Sequence, residues 1–396
     1  MFTALAAILL APAADTLFVA TSPAEARPVG KLLALSLDGA DLDTSQGKTT
    51  VAGVFSLRRT NIPLPALPRG PALFTTTGDR VAGELIGGDG QSLRFQPSMR
   101  TPEWKVPISS AAVVWLSKPP ADTPTDIGRY GWLPENRRRD VLLFRNGDTL
   151  RGTLDGFTRE PTAFKFAPEV GEARMVAFDE SAAIAFNPTL ARARKPKGPY
   201  FQLVLRDGTR LAAATALVKG ESLDIRTLFG EEMPVALGDV IAIDVMQGKA
   251  VSLGDVKPKK VEQAGFLGTA WPSATDRSVR GEPLRLLTSL GEETFDRGLG
   301  THPRTVLTYD LGGKYRRFEA LVGLDAVSGA KGRADVRVLV DGKEQPLPEL
   351  RKLSAGPAVV VRVDLSGAKE LTLVVDFGPA GNVQADVNWA DARLVE

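Results

Sequence analysis

The fold class is decided by residues Val141–Pro168, which read VLLFRNGDTLRGTLDGFTREPTAFKFAP. An apolar run leads into Asn146-Gly147, two residues that tolerate the positive φ angles required by a tight hairpin turn. After the turn, Phe164 and Phe166 lie two residues apart, and a period of two is typical of a half-buried strand. The stretch therefore predicts a β-hairpin followed by a third strand.

The same order of features occurs three times along the chain. Turns at Gly78, Gly147 and Gly208 each follow an apolar strand, and each copy ends in a second apolar stretch. Five short strands within about 45 residues, joined by tight turns, are typical of a small SH3-like or Sm-like barrel. The sequence therefore predicts an all-β chain with tandem β repeats at 73–118, 140–190 and 200–248.

Polar and proline-rich segments separate these repeats. We interpret 119–139 and 191–199 as linkers because their composition is typical of connecting segments. Upstream, residues 27–72 are predicted to form an N-terminal β segment. This segment has its own turn at Asp38-Gly39 and is a candidate for a degenerate repeat.

Composition excludes several kinds of chemistry. The 396 residues contain no cysteine and one histidine, which rules out disulfides, cysteine-rich zinc sites, iron–sulfur clusters and cysteine nucleophiles. There is no G-x-S-x-G motif and no second histidine to support a serine nucleophile. The 49 Lys and Arg nearly balance the 47 Asp and Glu, which argues against a nucleic-acid partner. Carboxylate-only chemistry survives, but no pair of acids is singled out. We therefore predict that the chain is not an enzyme.

The N-terminus has features of an export signal. Residues Met1–Ala14 form an uncharged apolar run that is too short to cross a bilayer as a helix. The run ends in small residues at Ala14, and a second small-residue site follows at Ala24-Glu25-Ala26, which gives two points for cleavage. We predict a signal peptide at 1–26, no membrane span, and a secreted, periplasmic or cell-surface protein. The alternatives are a disordered tail or a buried segment.

The sequence signals change after Val251. The chain then reads, in order, TDRSVRGEPLRL, ETFDRGLGTHP, LTYDLGGKYRRFEALVGLD, VRVDLSGAKELTLVVDFG and VNWADARL. This succession resembles the NPCBM/NEW2 family of carbohydrate-binding modules over the span 251–396. The resemblance implies a galactose-binding-like jelly-roll β-sandwich that binds a polysaccharide or another glycan. The loop Gly381–Asn388 departs from the family, because many members carry a more acidic or histidine-bearing loop there.

The same resemblance makes a structural calcium ion an expectation, although no local ligand spacing shows one. No other cofactor is expected.

Periodicity supports a sandwich independently of the resemblance. Val336 and Val338 belong to an alternating apolar stripe, and such a stripe needs a second sheet to cover it. In the last strand, simple alternation places Ala390 and Ala392 on one face and Trp389 on the other. If the small residues face the core, Trp389 is partly exposed.

Glycan recognition needs an aromatic face for the C–H surface of the sugar and planar polar groups for its hydroxyls. Seven residues of the C-terminal region supply this chemistry and are the candidate ligand-binding residues: Trp271, Arg277, Arg297, His302, Asp325, Asn388 and Trp389. Structural alternatives stay open for several of them. His302, in a turn-rich GLGTHP segment, is commonly a hydrogen-bonded structural residue. Trp389 is more often core than platform, and Arg297 and Asp325 could pair with each other or with a neighbour.

Together these observations predict an exported, non-catalytic carbohydrate-binding protein. Its C-terminal module is expected to bind a neutral glycan, with the repeats as spacer or interaction modules. The first alternative is a structural or protein-binding cell-surface protein without a sugar ligand, whose partners are other cell-surface proteins. The second alternative is an accessory part of a carbohydrate-active enzyme.

Overall fold

The computed structural model describes residues 16–99, 101–121, 123–159, 162–191, 196–266, 268–379 and 381–396. These residues form β-strands with a few single-turn 3-10 helices and no α-helix, so the predicted all-β class is confirmed. The 3-10 helices are Ile108–Ser110, Ile127–Arg129, Leu237–Asp239, Leu253–Asp255 and Leu350–Lys352. Within the described residues there is no helix of the length and apolarity that a membrane crossing requires. Residues 1–15, which hold the predicted apolar signal, lie outside the described residues.

The first twenty strands fall into four units of five. Unit 1 comprises β1 Phe18–Thr21, β2 Val29–Ser36, β3 Gly39–Thr44, β4 Gly47–Ala52 and β5 Ser56–Arg59. Unit 2 comprises β6 Ala72–Thr75, β7 Arg80–Gly88, β8 Ser92–Pro97, β9 Trp104–Pro107 and β10 Ala111–Trp115. Unit 3 comprises β11 Asp140–Phe144, β12 Thr149–Arg159, β13 Thr162–Pro168, β14 Arg174–Ala177 and β15 Ser181–Ala185. Unit 4 comprises β16 Tyr200–Leu205, β17 Arg210–Lys219, β18 Ser222–Thr227, β19 Glu232–Ala236 and β20 Val240–Met246.

All four units share one strand topology. In each unit the fifth strand returns to pair antiparallel with the first, as β10 does with β6 and β15 with β11. The same pairing joins β20 to β16 and β5 to β1. The second strand of each unit carries a register shift, such as the one between Leu154 and Gly156 in β12. A bulge of this kind bends a strand, so its two halves can pair with different neighbours.

Glycine turns join the first and second strands of units 2, 3 and 4. Gly78, Gly147 and Gly208 have φ angles of 97°, 89° and 89°, in the region that favours glycine. The alternating residues predicted after these turns lie in the third strands and are buried, with Phe164 and Phe166 both fully inaccessible. The sequence pattern therefore corresponds to the observed strands.

The units are not separate closed barrels. Within the described residues, no backbone pairing joins the fourth strand of a unit to its fifth, so each five-stranded sheet stays open. The closing strands pair between units instead, β10 with β15 and β5 with β20, and the units merge into one 20-stranded network. The barrel detail of the sequence prediction is therefore not confirmed. Turn residues and apolar alternation predict each local hairpin. They do not predict which strands pair between units.

The N-terminal unit begins earlier than the predicted boundary at residue 27. Strand β1 lies within the stretch assigned to the signal peptide, and it pairs with both β2 and β5. Phe18 and Ala20 are buried at 1% and 0% exposure. The turn at Asp38-Gly39 joins the second and third strands of this unit, so it is not equivalent to the glycine turns of the other three.

The C-terminal region forms a β-sandwich. Its strands are β21 Ala250–Ser252, β22 Lys260–Gln263, β23 Ala274–Thr275, β24 Leu284–Thr288, β25 Gly291–Phe295, β26 Gly298–Thr301 and β27 Thr305–Asp310, followed by β28 Arg317–Leu324, β29 Arg333–Val340, β30 Lys343–Glu344, β31 Leu353–Ser354, β32 Val359–Asp364, β33 Glu370–Phe377 and β34 Val387–Val395. One sheet has the order β23-β26-β34-β28-β32, and the facing sheet has the order β22-β27-β33-β29-β30. Strand β21 pairs with β34, β31 pairs with β29, and β24 pairs with β25 in a separate hairpin.

Apolar side chains from both sheets fill the space between them. Phe318, Val322 and Trp389 of the first sheet meet Val336 and Leu373 of the second in one buried cluster. The predicted alternation in β29 and β33 thus supplies one face of the core, and the sandwich architecture is confirmed.

The sandwich packs against units 1 and 4. A second apolar cluster joins Leu64 and Ile241 of the N-terminal part to Leu284 and Ala390 of the sandwich. Beside it, Arg58 of β5 pairs with Asp391 of β34 at 3.1 Å. The outer face of the β34 sheet is therefore covered where these groups meet.

Candidate functional site

Three neighbouring strands bring the ends of their loops together at one edge of the sandwich. Val387 begins β34 and pairs with Thr301 at the end of β26 and with Leu324 at the end of β28. Since neighbouring strands run antiparallel, the residues just beyond these positions meet at the same edge. Those residues are His302, Asp325 and Asp386.

His302 is held by a buried carboxylate. Its Nδ1 lies 2.7 Å from Oδ1 of Asp386, and the two side chains are 7% and 1% exposed. The carboxylate accepts this hydrogen bond, so Nδ1 carries the proton and Nε2 of the neutral ring is an acceptor. Nε2 is buried and has no hydrogen-bond partner among the described residues. One side of the imidazole is therefore fixed by Asp386, and the other side carries an acceptor without a partner among the described residues.

Asp386 also binds two other side chains. Its Oδ2 accepts hydrogen bonds from Nε of Arg280 at 2.6 Å and from Oγ of Ser328 at 3.1 Å. Burial by itself would raise the pKa of Asp386, but the hydrogen bonds from His302 and Arg280, together with the positive charge of Arg280, outweigh it and hold the pKa below its ordinary value. Asp386 is therefore an ionised anchor for the groups around it.

Trp271 lies over the His302 ring. The ring centroids are 5.2 Å apart and the planes are tilted by 31°. Trp271 belongs to the loop between β22 and β23, and Nε2 of Gln263 donates a hydrogen bond to its carbonyl oxygen at 3.1 Å. The residue keeps 41% of its surface exposed. We call Trp271, Arg280, His302, Ser328 and Asp386 the histidine site.

Asp325 and Asn388 are buried beside this site. They are 2% and 0% exposed, and the backbone N–H of Asp325 donates to the carbonyl of Asp386 at 2.9 Å. Oδ2 of Asp325 and Oδ1 of Asn388 have no hydrogen-bond partner within the described part of the chain. Burial raises the pKa of Asp325. These two predicted residues therefore add unpaired acceptors next to the histidine site.

Two other predicted residues lie elsewhere, at the boundary with the N-terminal units. Arg277 pairs with Asp126 of the first linker, and Arg297 pairs with Asp255 and Asp276. Both arginines line a cavity of about 380 Å³ between the sandwich and units 1, 2 and 4. The structure does not bring them together with His302, and Arg297 does not pair with Asp325.

Trp389 is a core residue, which corrects the prediction of partial exposure. It is fully buried, its ring packs 6.4 Å from that of Phe318, and its Nε1 donates to Oγ1 of Thr301 at 3.2 Å. Simple alternation fails because Asp391 has a φ of 48° and the pairing register shifts opposite it. This bulge places Trp389 and Ala392 on the core face together. Trp389 therefore has no free face for a sugar.

The described residues do not form an evident calcium site. Calcium takes six to eight oxygen ligands, with carboxylates prominent among them. In the parts of the chain that the structure describes, no group of three or more His, Cys, Asp or Glu side chains is placed to hold a metal ion. The donor set does not fit the expected ion, and no role is derived for it.

Sequence reasoning did not select Asp386, Arg280 and Ser328. Asp386 is 84 residues from His302 along the chain, so no local spacing connects them. The signal that could have found it is its position two residues before Asn388, at the start of the last strand. A polar residue there faces the loops that contain the only histidine of the chain.

A family model matches the C-terminal region. The family model described as the NPCBM/NEW2 domain matches residues 249–395. This region is an NPCBM/NEW2 domain. The predicted resemblance, and with it the assignment to a carbohydrate-binding module family, is confirmed.

A curated relative matches part of the chain. A Renibacterium salmoninarum protein named as an endo-alpha-N-acetylgalactosaminidase is 34% identical over 115 residues. The match covers 29% of this chain and 7% of that protein, so the chain spans a small part of the relative's length.

Solved structures with similarity to the chain include carbohydrate-binding modules of bacteria. A CBM51 module from a Clostridium perfringens GH95 protein, in complex with methyl-galactose, is 23% identical; the match covers 37% of this chain and 99% of that one, with a TM-score of 0.34. The CBM51-2 and INT domains of Clostridium perfringens ZmpB, with GlcNAc bound to CBM51-2, are 23% identical over 49% of this chain and 43% of that one, with a TM-score of 0.34. The tandem CBM51 modules of Sp3GH98 from Streptococcus pneumoniae are 13% identical over 64% and 87%, again with a TM-score of 0.34.

Proposed function

We propose that the NPCBM/NEW2 domain binds a neutral glycan at the histidine site, and that the chain is not itself catalytic. The observation that carries the proposal is the partly exposed Trp271 ring over His302, whose Nε2 is unpartnered. An aromatic face beside a fixed acceptor matches the two needs of sugar recognition, a surface for C–H groups and a partner for a hydroxyl.

Charge supports a neutral ligand. Asp386 is balanced by Arg280 and by the polar contacts of His302 and Ser328. Asp325 adds a buried acceptor rather than a cation. A hydroxyl-rich ligand can donate hydrogen bonds to Nε2 of His302 and to these acceptors, whereas an anionic group would face unpaired oxygen atoms.

The non-catalytic part of the proposal rests on what the single histidine does. His302 is the only histidine of the chain; its Nδ1 is bonded to Asp386, and within the described residues no serine or other nucleophile bonds its Nε2. Ser328 donates to Asp386 rather than to the histidine. The chain has no cysteine, and a single histidine cannot build a multi-histidine centre. The N-terminal part packs on the domain through the Leu64 and Ile241 cluster, so we propose that the units support and orient it.

Titration of the full chain with a sugar panel tests the glycan proposal. Methyl-galactose and N-acetylglucosamine, the ligands bound in two of the structural neighbours, are the first probes. A single shallow sugar site binds with about 4 to 6 kcal/mol, so ligand concentrations must reach the millimolar range. Losing a stacked tryptophan removes about 1 to 3 kcal/mol of that binding energy. We expect Trp271→Ala and His302→Ala to abolish detectable binding.

Leu287→Ala is the matched control, because Leu287 is 40% exposed, close to the 41% of Trp271, and lies on a different hairpin. This variant should bind as wild type does. Every variant is first checked for an unchanged melting transition. A folded wild-type protein that binds no glycan would leave the structural cell-surface role as the better reading, and equal binding by all variants would move the site elsewhere.

We also propose that the chain is exported and that cleavage occurs near Ala14. Cleavage after Ala26 would remove β1, whose Phe18 and Ala20 are buried in unit 1. The earlier cleavage point leaves this strand in place. N-terminal sequencing of the native protein should find a chain that begins near Asp15. Intact Met1, or a chain that begins at Arg27, would contradict the proposal.

A further inference from the structure

Four arginines surround one buried carboxylate at the opposite end of the strands that carry the histidine site. Glu319 of β28 is 6% exposed at its side chain and lies between Arg393 of β34 and Arg362 of β32 in the strand register. Arg317 lies two residues earlier on β28, and Arg27 reaches the same carboxylate from the segment between β1 and β2. We call these four arginines and Glu319 the arginine cluster.

The distances show that all four cations share the two oxygens of Glu319. Oε1 lies 2.8 Å from Nε of Arg317, 3.3 Å from Nη2 of Arg27 and 3.8 Å from Nε of Arg362. Oε2 lies 3.4 Å from Nη2 of Arg393. Among the described residues, Glu319 is the one acid within ion-pair distance of these four arginines. Four arginines therefore share one carboxylate, and Arg393 also interacts electrostatically with Asp244.

The arginines differ in how their donors are used. Arg317 is fully committed, because its other two nitrogens donate to the backbone carbonyls of Pro23 and Ser22. Arg27 makes one side-chain hydrogen bond, to Glu319. Among the described residues, the ion-pair contact of Arg362 is the long one of 3.8 Å to Glu319, and its side chain is 44% exposed. A guanidinium group has five N–H donors, so Arg27 and Arg362 present unused donors side by side.

The positive charge of the arginine cluster is partly shielded from water. This shielding strengthens the electrostatic repulsion between the arginines. Arg27 and Arg393 are 34% and 18% exposed at their side chains. Burial lowers the pKa of Arg27, and the nearby charges of Arg362 and Arg393 lower it further, although Glu319 offsets part of the effect. A second anion at this place would relieve the repulsion and use the free donors.

We propose that the arginine cluster binds an oxyanion, the carboxylate of a uronic acid or the sulfate ester of an acidic polysaccharide, between Arg27 and Arg362. Planar guanidinium groups bind such oxygens in pairs with good geometry. The position is separate from the histidine site, because Glu319 lies near the start of β28 and Asp325 directly follows the end of the strand, six residues later or about 20 Å away. The proposal does not depend on binding of a neutral glycan at the histidine site.

Calorimetric titration of the full chain with sodium sulfate and with sodium glucuronate tests the proposal. Ionic strength is held constant with sodium chloride, and glucose serves as the uncharged counterpart of glucuronate. We expect saturable binding of one anion per chain and no binding of glucose at this site. Arg362→Gln and Arg27→Gln should each weaken binding by about tenfold, since each removes a charge-assisted contact.

Arg351→Gln is the matched control, because Arg351 is 42% exposed and pairs with Asp335 and Glu344 away from the cluster. Its affinity should equal that of wild type. Both test residues are at least one-third exposed, so the variants should fold, and a melting curve verifies this. If Arg27→Gln disrupts the N-terminal segment, Arg362→Gln alone decides the result.

Tighter binding of glucuronate assigns the site to uronates, and tighter binding of sulfate assigns it to sulfate esters. Both outcomes support the proposal. An absence of saturable binding would overturn it, as would equal weakening by Arg362→Gln and Arg351→Gln, which would indicate diffuse surface charge.

Discussion

Asp386→Asn tests whether the buried carboxylate organises the histidine site. The side chain of Asp386 is 1% exposed and accepts hydrogen bonds from His302, Arg280 and Ser328. A hydrogen bond to a charged acceptor contributes about 1.5 to 3 kcal/mol, and the half-exposed Arg280 pair adds at most about 1 kcal/mol. Removing the charge also removes part of the desolvation penalty of the buried carboxylate. We expect the free energy of unfolding to fall by about 2 to 3 kcal/mol at neutral pH.

The effect of this substitution should depend on pH in a defined direction. Because the pKa of Asp386 is held below its ordinary value in the folded state, ionisation stabilises the fold above the unfolded pKa. That contribution is lost as the pH falls through the folded pKa. The gap between wild type and Asp386→Asn should therefore be full at about pH 6 to 7 and should shrink below about pH 4.

Urea unfolding of the full chain, followed by tryptophan fluorescence at each pH, measures this gap. The matched control is Asp364→Asn, which changes an exposed turn carboxylate bound to Ser366 and should leave the urea midpoint nearly unchanged. Equal stability of Asp386→Asn and wild type at neutral pH, or a gap that does not shrink in acid, would refute the anchoring role.

Two further substitutions separate core residues from binding residues. Trp389→Ala should lower the free energy of unfolding by about 3 to 5 kcal/mol, because a fully buried ring leaves a cavity; a melting curve like that of wild type would show that the residue is not in the core. Asp325→Asn should raise stability at neutral pH by about 1 kcal/mol. Burial raises the folded pKa of Asp325, so wild-type stability is full below the unfolded pKa and is lost as the pH rises through the folded pKa; a benefit of Asn that persists at pH 3 would contradict this cause.

The local sequence pattern predicted turns and strands correctly where a residue type has a single conformational or packing preference. Gly147 adopts the positive φ that its turn requires, and Phe164 and Phe166 are buried on one face of β13. A two-residue period fails where an extra residue enters a strand. The bulge at Asp391 places Trp389 in the core. Asp is enriched at positive φ, but most Asp residues do not adopt it, so the sequence does not mark this bulge.

The other features that the sequence did not predict depend on contacts between residues that are far apart in the chain. Strand β1 falls inside the predicted signal because a small-residue cleavage site follows it at Ala24-Glu25-Ala26, and its pairing with β5 shows that it is structural. The bond between His302 and Asp386 likewise depends on the meeting of β26 with β34, which are far apart in the chain. Without knowledge of this strand pairing, the sequence identifies His302 as a candidate but does not identify Asp386 as its partner.

The packing of the units limits where the NPCBM/NEW2 domain can meet a ligand. Leu321 and Ala390, on the outer face of the β34 sheet, pack with Leu64 and Ile241 of the N-terminal part. Arg393 lies over the ring of Phe55 at 4.5 Å, which covers the same face further along the strand. A flat ligand on this face would have to displace units 1 and 4. The loops at the strand ends are left as the surface that a ligand can reach, and Trp271 is exposed there. The geometry therefore favours ligand recognition at the edge of the sandwich over recognition on the face of the sheet.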